Sequence, residues 1–391
     1  MNQSKALVCV LAAFLTGCYT GPPRKPGHAP DWTGKDTVPA PQPPAHVPGP
    51  SPIPHSPPIP AFTNRIAGAW IPLNRWCHAN NLAAPSRLPA GPLPTYALHT
   101  TNGAFVLRAG SQSAQWNGVE VRLGFAPQII DHEPFVHSLD LEKTILPLLG
   151  GPSLCWLKTN QIIVIDPGHG SLNSGAMSVL GGHCEKEYTL DWARRLQVLL
   201  ATNGWQVFLT RTNDTDLALS NRVTFAENHQ AALFISLHFN SSAPNDHEQG
   251  LETYCLTPAG MPSTVTRGFS DEKALVFPNN AFDAENIQLA YLVHRALLQA
   301  NGSQDRGVRR VRFTAVLRGQ QRPAILIEGG YLSNPHEARL IDDPTHRQKL
   351  AEAVARALAL PGKPEAWTPK PEVVPATNSP APSLEQTNSP P

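Results

Sequence analysis

The feature that most limits where this chain can fold is the uneven distribution of its 41 prolines. Fifteen of them fall within residues 22–61 and nine within residues 361–391, whereas the roughly 300 residues between hold 17. Proline has no amide hydrogen for a helix or a sheet ladder, so the two proline-rich ends cannot build regular structure. A packed core is therefore expected only in the middle of the 391-residue chain.

The charge of the chain argues against one large class of partner. Lys and Arg number 31 and Asp and Glu 30, which leaves a formal net charge of +1. Charged residues make up 16% of the chain, against about 25% in an average globular protein. Nucleic-acid binding relies on a marked excess of basic residues, so we expect no nucleic-acid partner.

The first 18 residues predict the compartment. After Lys5, an apolar run over 6–15 is too short to span a bilayer but is typical of a secretory signal. The following Leu15-Thr16-Gly17-Cys18 resembles a bacterial lipobox, which implies a lipoprotein signal peptide over 1–18 and a lipidated Cys18. The alternative is a plain secretory signal with a chance cysteine. Acyl chains on Cys18 would anchor the protein to a membrane. We therefore expect a cell-envelope protein at the periplasmic face of a membrane, with the outer membrane favoured over the inner.

Residues 19–61 and 362–391 are predicted to lack a packed core, because both are rich in proline and poor in large apolar residues. Segment 19–61 is interpreted as a polyproline-type tether behind the lipid anchor. At about 3.1 Å per residue it could extend on the order of 100 Å. A proline-rich ligand for a binding domain is the alternative interpretation of the same segment.

Four cysteines beyond the signal leave the redox state open. An oxidising compartment would permit three pairings among them, and the sequence does not choose one. Buried free thiols are the equally weighted alternative, and no pair has the short spacing of a zinc knuckle. The four are Cys77, Cys155, Cys184 and Cys255.

Residues 62–149 are predicted to form a small α+β domain. Strands are expected over 104–108 and 119–123, and the turn signal Asn117-Gly118 between them predicts a hairpin. The region resembles the stalk-like module at the N-terminus of copper amine oxidases, a likeness that implies no chemistry. Its histidines show no ligand spacing and are interpreted as ordinary surface or core residues; they are His78, His99, His132 and His137.

Residues 160–361 alternate apolar strands with amphipathic helices. The β-branched run 162–165 is typical of a strand buried on both faces of a sheet. Helices are expected from Glu185 to a stop at Asn203-Gly204, around 286–300, and through 350–358. This pattern predicts an α/β domain whose largely parallel or mixed sheet is flanked by helices. The other predicted strands are 205–209, 232–237, 250–256 and 324–327.

Chemically reactive side chains stand where the predicted strands end. His169, His238 and Glu328 each come directly after a buried strand, and Glu185 opens the first helix. The carboxyl edge of such a sheet is where ligands bind, so these four should meet there. Two imidazoles and one carboxylate suit a catalytic zinc that keeps one position for water, and a second carboxylate could accept the proton of that water. The sequence therefore predicts a Zn²⁺ site.

Five short motifs carry these residues, in the order Ile163-Val164-Ile165-Asp166-Pro167-Gly168-His169-Gly170, Glu185-Lys186, Leu209-Thr210-Arg211, Ser236-Leu237-His238-Phe239-Asn240 and Glu328-Gly329-Gly330-Tyr331-Leu332-Ser333-Asn334. They resemble the successive motifs of the zinc-dependent N-acetylmuramoyl-L-alanine amidases of the amidase 3 family. The resemblance implies that His169, Glu185 and His238 bind Zn²⁺ and that Glu328 is the catalytic glutamate. It also implies hydrolysis of the amide between N-acetylmuramic acid and L-alanine of the peptidoglycan stem peptide, in cell-wall remodelling and daughter-cell separation.

Two departures from the family pattern leave all four site positions unaltered. Ser171 and Asn173 stand where the family often has glycine and aspartate, and Gly329-Gly330-Tyr331 replaces the frequent Thr-Gly-Phe. We interpret both as adjustments of loop shape.

Several roles stay open at this stage. The loop within 241–285 could be a lid, a docking surface for an activator protein, or a solvated excursion without function. Lys186 and Arg211 are predicted to be structural ion-pair partners. A catalytically silent peptidoglycan-binding lipoprotein and a zinc peptidase cutting within the stem peptide are the alternative functions. The expected partners are peptidoglycan, a membrane through Cys18, and an activator protein.

Overall fold

The computed structural model describes residues 69–89, 93–151 and 160–359. The predicted signal peptide, Cys18, the tether, Cys155 and the proline-rich tail lie outside these described residues. In the described ranges, no helix combines the length and the apolar character needed to cross a bilayer. Cys77, Cys184 and Cys255 are free thiols, two of them buried, so none of these three is bonded to another.

Four parallel strands form one half of the main sheet, in the order β10 (Gln206–Leu209), β9 (Ile162–Pro167), β11 (Leu233–Asn240) and β14 (Ala324–Tyr331). Ile163, Val164 and Ile165 of β9 are fully buried. Because side chains alternate between the faces of a strand, Ile163 and Ile165 join the core on one face and Val164 joins the core on the other. The prediction of a strand covered on both sides is confirmed.

Helices cover both faces of this sheet. One face carries α4 (Glu185–Thr202), α6 (Asp283–Asn301) and α9 (Pro344–Ala359), and the other carries α5 (Leu219–Asn228) and α7 (Ala315–Arg318). A further helix, α8 (Pro335–Asp342), follows β14. Helix α4 ends at Thr202 with Asn203 as its C-cap, as the Asn203-Gly204 signal predicts. Helices α5 and α8 were not predicted from the sequence.

The sheet continues past β14 in mixed orientation. Strand β12 (Leu251–Leu256) pairs antiparallel with β14, and β13 (Asp305–Val311) pairs parallel with β12. Strand β13 was not predicted, because its sequence mixes arginine with valine and glycine and contains no continuous apolar run. The fold is thus the mixed, helix-flanked α/β sheet expected from the sequence.

The N-terminal strands extend the same sheet. Strand β6 (Val119–Arg122) pairs parallel with β13 and is followed outward by β5 (Ser113–Trp116), β4 (Gly103–Arg108), β3 (Thr95–Thr100) and β2 (Ser86–Leu88), all antiparallel. Eleven strands of the described residues therefore share one sheet. The sequence separates 62–149 from 160–361, but strand pairing runs across that division.

The hairpin at Asn117-Gly118 forms between different strands from those predicted. Asn117 and Gly118 have φ of 49° and 80°, the left-handed backbone of a tight hairpin turn. The turn joins β5 to β6, whereas the prediction paired 104–108 directly with 119–123. The prediction was wrong because β5 is only four residues long and its Ser-Ala-Gln-Trp sequence carries a weak strand signal.

A small second sheet and two helical segments complete the N-terminal part. Strands β1 (Trp70–Pro72), β8 (Glu133–His137) and β7 (Gln128–Ile130) pair in that order, and helix α1 (Leu73–Ala79) follows β1. The second segment comprises α2 (Ser138–Asp140), a π-helical turn (Leu141–Ile145) and α3 (Leu146–Leu149).

Polar contacts join this N-terminal part to the C-terminal part, residues 160–359. The Gln288 side-chain amide on α6 donates to the carbonyls of Pro147 (2.7 Å) and Gly151 (2.8 Å). The backbone N–H of Glu120 donates to Asp305 Oδ2 at 2.7 Å, at the start of β13. Apolar residues of both parts also belong to one core cluster.

Candidate metal centre

The central strands bring the predicted site residues to one edge of the sheet. His238 of β11 and Glu328 of β14 are register partners on neighbouring strands, and His169 lies two residues beyond the end of β9. Glu185 is the first residue of α4. Strands β11 and β14 run further than predicted, so His238 and Glu328 lie inside the strands rather than directly after them.

The two histidines and Glu185 form a compact cluster. Glu185 Oε2 lies 3.0 Å from His169 Nε2, and Glu185 Oε1 lies 2.9 Å from His238 Nδ1. One ligand atom from each residue lies within 4.8 Å of the others. Within the described ranges, this is the one group of three or more histidine, cysteine or acidic side chains that could hold a metal ion.

Backbone amides hold the carboxylate of Glu185 in place. The N–H of Ala176 donates to Oε2 at 2.9 Å, and the N–H of Phe239 donates to Oε1 at 3.0 Å. Burial raises the pKa of Glu185, but the charges and hydrogen bonds of His169 and His238 outweigh it and hold that pKa far below its ordinary value. Glu185 is therefore a buried, ionised carboxylate, as a metal ligand must be.

The histidine rings are oriented by their surroundings. His169 Nδ1 lies 2.9 Å from Asn173 Oδ1, so the loop that departs from the family pattern fixes this ring. The ring of His238 packs directly on Gly168, where a Cβ atom would lie 2.2 Å from Cε1 of that ring. Burial lowers the pKa of His238, which favours the neutral imidazole that binds metals.

The donor set fits zinc. Imidazole nitrogen and carboxylate oxygen are common zinc ligands, and three protein ligands leave a fourth position open in catalytic sites. The hydrogen bonds to Asn173, Ala176 and Phe239 supply the outer contacts that orient such ligands.

Glu328 is the second carboxylate of the site and differs from Glu185 in its environment. Burial raises the pKa of Glu328 to about 8, and the positive charge of Arg267 lowers it only in part. Its Oε2 atom is buried and has no hydrogen-bond partner among the described residues, and Arg267 Nη2 lies 3.6 Å from Oε1. A carboxyl group with a pKa near neutrality can both accept and return a proton.

A buried ion pair beneath the site was missed by the sequence reasoning. Arg222 Nη1 of α5 lies 2.7 Å from Asp166 Oδ1, and Arg222 Nη2 donates to the carbonyl of His169 at 2.8 Å. Thr210 and Ser236 hydroxyls also donate to Asp166, at 2.5 and 2.8 Å. Asp166 belongs to the motif over 163–170 and could have been predicted as a site residue, whereas no local sequence pattern indicates a role for Arg222.

Lys186 and Arg211 both support the first loop of the site. Lys186 Nζ pairs with Asp214 Oδ2 at 2.6 Å, so this residue is an ion-pair partner as predicted. Arg211 donates instead to the carbonyls of Pro167 (3.0 Å) and Gly168 (2.8 Å). Its predicted structural role holds, but its hydrogen-bond partners are main-chain carbonyls and the Thr189 hydroxyl rather than a carboxylate.

The range 241–285 contains β12, which matches the strand predicted over 250–256, and a long segment after it. Arg267, in that segment, reaches Glu328, a contact that no signal in the sequence indicates.

Comparison with known proteins adds independent findings. The family model described as N-acetylmuramoyl-L-alanine amidase, amidase 3, matches residues 163–359. The chain is similar to the N-acetylmuramoyl-L-alanine amidase LytC of Bacillus subtilis, with 35% identity over 198 residues that cover 50% of this chain and 34% of LytC. It is also similar to the N-acetylmuramoyl-L-alanine amidase AmiA of Escherichia coli, with 26% identity over 219 residues that cover 51% of this chain and 75% of AmiA. The match thus spans about a third of LytC and three quarters of AmiA.

Among solved structures, the catalytic domain of CwlV, an N-acetylmuramoyl-L-alanine amidase from Bacillus (Paenibacillus) polymyxa, is 32% identical. The match covers 50% of this chain and 94% of that domain, with a TM-score of 0.42.

Proposed function

Because the chain belongs to the amidase 3 family of N-acetylmuramoyl-L-alanine amidases, we propose that it hydrolyses the amide between N-acetylmuramic acid and L-alanine in peptidoglycan. One observation supports this most directly: two histidines and a glutamate form a cluster, and a second carboxyl group with a raised pKa, that of Glu328, lies on the strand next to that of His238. Two carboxyl groups whose environments push their pKa values apart are the arrangement that acid–base catalysis requires.

We propose Zn²⁺ as the metal, held by His169, Glu185 and His238. When bound, zinc supplies a Lewis acid for the scissile carbonyl and a water whose pKa is about 7. The protein contributes the fixed donor geometry, because the Glu185 carboxylate is held by two backbone amides and His169 by Asn173.

Glu328 accepts and then donates the proton in the proposed reaction. Its unpartnered Oε2 is the atom that accepts a proton from the attacking water, and the same group returns it to the departing L-alanine nitrogen. Burial of Glu328 favours the neutral state after the first transfer. The L-alanine nitrogen therefore leaves as a neutral amine, and the glutamate returns to its starting state.

The location and partners are proposed on the sequence alone. A lipidated Cys18 would hold the enzyme at the periplasmic face of a membrane, with the outer membrane favoured, and the segment 19–61 would let the catalytic part reach the wall. An activator protein remains part of the proposal, without an assigned contact surface.

Digestion of purified peptidoglycan tests the function. We expect release of stem peptides that carry a new L-alanine amino terminus, with the glycan strands left intact, and loss of activity in the presence of a chelator. Glu328→Gln serves as the inactive control. Peptides cut between stem residues would instead support a zinc peptidase, and binding without any product would support a silent wall-binding protein.

A further inference from the structure

The segment 257–277, called the strap below, places a guanidinium group beside the proposed base. Arg267 Nη2 lies 3.6 Å from Glu328 Oε1, and the Arg267 side chain is 22% exposed. This separation is longer than a hydrogen bond. The guanidinium therefore lies within ion-pair distance of Oε1 but makes no hydrogen bond to it.

Neutral groups hold the guanidinium in this position. Arg267 Nη2 donates to Asn240 Oδ1 at 2.9 Å and to the Tyr254 hydroxyl at 3.1 Å. Its central carbon lies 5.6 Å from the ring centroid of Tyr254 and 5.2 Å from that of Phe313, within cation–π range. The position of Arg267 thus does not depend on Glu328.

Glu252, the other buried carboxylate near Arg267, is already paired with two arginines. Glu252 Oε1 lies 2.8 Å from Arg306 Nε and 3.5 Å from Arg309 Nη2, and the Tyr254 hydroxyl donates to Glu252 Oε2. Two arginines therefore balance Glu252. Among the described residues, the one ion pair of Glu328 is with Arg267.

The two oxygens of Glu328 have different surroundings. Oε1 faces the guanidinium, whereas Oε2 is buried and, within the part of the chain that the structure describes, has no hydrogen-bond partner. An unpartnered buried acceptor is costly, and a reacting group is one of the partners that can satisfy it. A fixed positive charge beside Oε1 disfavours rotation of the carboxylate about its last bond.

We propose that Arg267 is a positioning residue for the hydrolysis proposed above: it fixes Glu328 through Oε1, so that Oε2 is presented to the attacking water. The inference rests on the proposed function, and it gives the strap a defined role. The strap places the Arg267 side chain beside Glu328.

The anchoring of the strap agrees with this role. Arg267 has φ of 48°, a left-handed backbone that a non-glycine residue adopts only when the surroundings impose it. Arg312 Nη1 pairs with Asp271 Oδ1 at 2.6 Å, and Asp271 Oδ2 accepts from the N–H of Ser263 at 2.7 Å. The N–H of Thr264 donates to the carbonyl of Arg310 at 2.9 Å. These contacts pin the strap on both sides of Arg267.

Steady-state kinetics on a soluble muropeptide, with the full chain and its bound zinc, test the proposal. The variants are Arg267→Ala, Arg267→Lys, Glu328→Gln and the control Lys273→Ala, which removes an exposed positive charge from the same strap. We expect Arg267→Ala to lower kcat by about 10- to 100-fold, the range typical of groups that orient a site residue. KM and zinc content should stay near the wild-type values, and Lys273→Ala should match the wild type.

Chemical rescue adds a readout that a purely structural role would not move. Millimolar guanidinium chloride, far below the molar concentrations that unfold proteins, should restore part of kcat to Arg267→Ala and none to Glu328→Gln. Arg267→Lys keeps the charge but loses the planar donors, so an intermediate kcat is expected.

Several results would overturn the proposal. An unchanged kcat in Arg267→Ala removes the residue from the reaction, and a rise in KM alone makes it a substrate-binding group. Loss of zinc or of folding in both Arg267 variants makes it part of the scaffold. An inactive wild-type enzyme would instead refute the proposed function itself, so the two failures are distinguishable.

Discussion

Replacing Gly168 by alanine should disable the metal centre through a steric clash. The new Cβ would lie 2.2 Å from Cε1, 2.5 Å from Nε2 and 2.6 Å from Nδ1 of His238. Gly168 has no left-handed backbone angle, so the substitution adds a methyl group without imposing an unfavourable φ. The effect therefore isolates the contact with His238.

The structure also indicates that the His238 ring, rather than the Gly168 backbone, must move. The N–H of Gly168 donates to the carbonyl of Leu237 at 3.0 Å, and the Gly168 carbonyl accepts from Thr189 Oγ1 at 2.9 Å. The backbone of Gly168 is thus held on both sides. Ordinary contact begins near 3.4 Å, so the His238 ring must move by about 1.2 Å, whereas metal–ligand distances tolerate about 0.2 Å.

We expect Gly168→Ala to lower zinc affinity by about 100-fold or more, which corresponds to about 2.7 kcal/mol or more of binding free energy. Crowding should also lower the free energy of unfolding of the apoprotein by about 1–3 kcal/mol. Competition with a chromophoric chelator measures the affinity, and urea denaturation measures the stability. Gly150→Ala is the matched control, because its Cβ would meet nothing closer than 3.5 Å.

A double-mutant cycle distinguishes this mechanism from general damage. If the methyl group acts through His238, Gly168→Ala should cost much less stability in a His238→Ala background, because the truncated side chain leaves room for it. Wild-type zinc affinity in Gly168→Ala, or an equal loss of stability in both backgrounds, would refute the reasoning.

The remaining predictions concern the reaction, the metal, the scaffold and the anchor. Glu328→Gln should keep zinc, as measured by metal analysis, and lose turnover by about 10²–10⁴-fold; loss of zinc would make Glu328 a ligand. His238→Ala should lose most bound zinc after dialysis, and full occupancy would contradict the ligand assignment. Arg222→Met leaves Asp166 buried and unpaired, so it should lower the unfolding free energy by about 3–5 kcal/mol in urea. Although burial raises the pKa of Asp166, Arg222 and the hydroxyl donors outweigh it and hold that pKa below the ordinary 3.8. The stabilisation is thus complete above pH 3.8 and is lost as pH falls through the folded-state pKa; acid unfolding curves for wild type and Asp166→Asn that respond identically to pH would contradict this. Cys18→Ser should abolish labelling by a fatty-acid analogue and leave the protein either soluble or retained with its signal uncleaved, and an unlabelled wild type would exclude the lipid anchor.

The sequence by itself determined the central strands and the long helices of the catalytic half, because its signals there are local. The run 162–165 is β-branched and continuous, and helix α4 has an apolar period of three to four residues and a C-terminal Asn-Gly stop. Such patterns report burial directly. Strand ends also mark site residues, since the edge of a sheet gathers side chains that are far apart in sequence. His169, His238 and Glu328 were recognisable for that reason, and Glu185 was recognisable as the first residue of the first predicted helix.

Short or polar strands could not be predicted from local sequence patterns. Strands β5 and β13 lack an apolar run, and they are strands only because neighbours pair with them on both sides. Their placement joins the N-terminal strands to the catalytic sheet. No local pattern in either segment indicates that pairing, because sheet register is a property of two segments together.

Tertiary structure alone decided which charges meet in the site. Arg222 lies 56 residues from Asp166, and Arg267 lies 61 residues before Glu328 in the printed sequence. Nothing in the residues around either arginine distinguishes it from a solvated surface charge. Each acquires its role only when the fold removes water from between two distant segments, because electrostatic interaction strengthens as the surrounding dielectric falls. The sequence thus specified which chemical groups are available, and the packing of the strap and of α5 determined which of them act together.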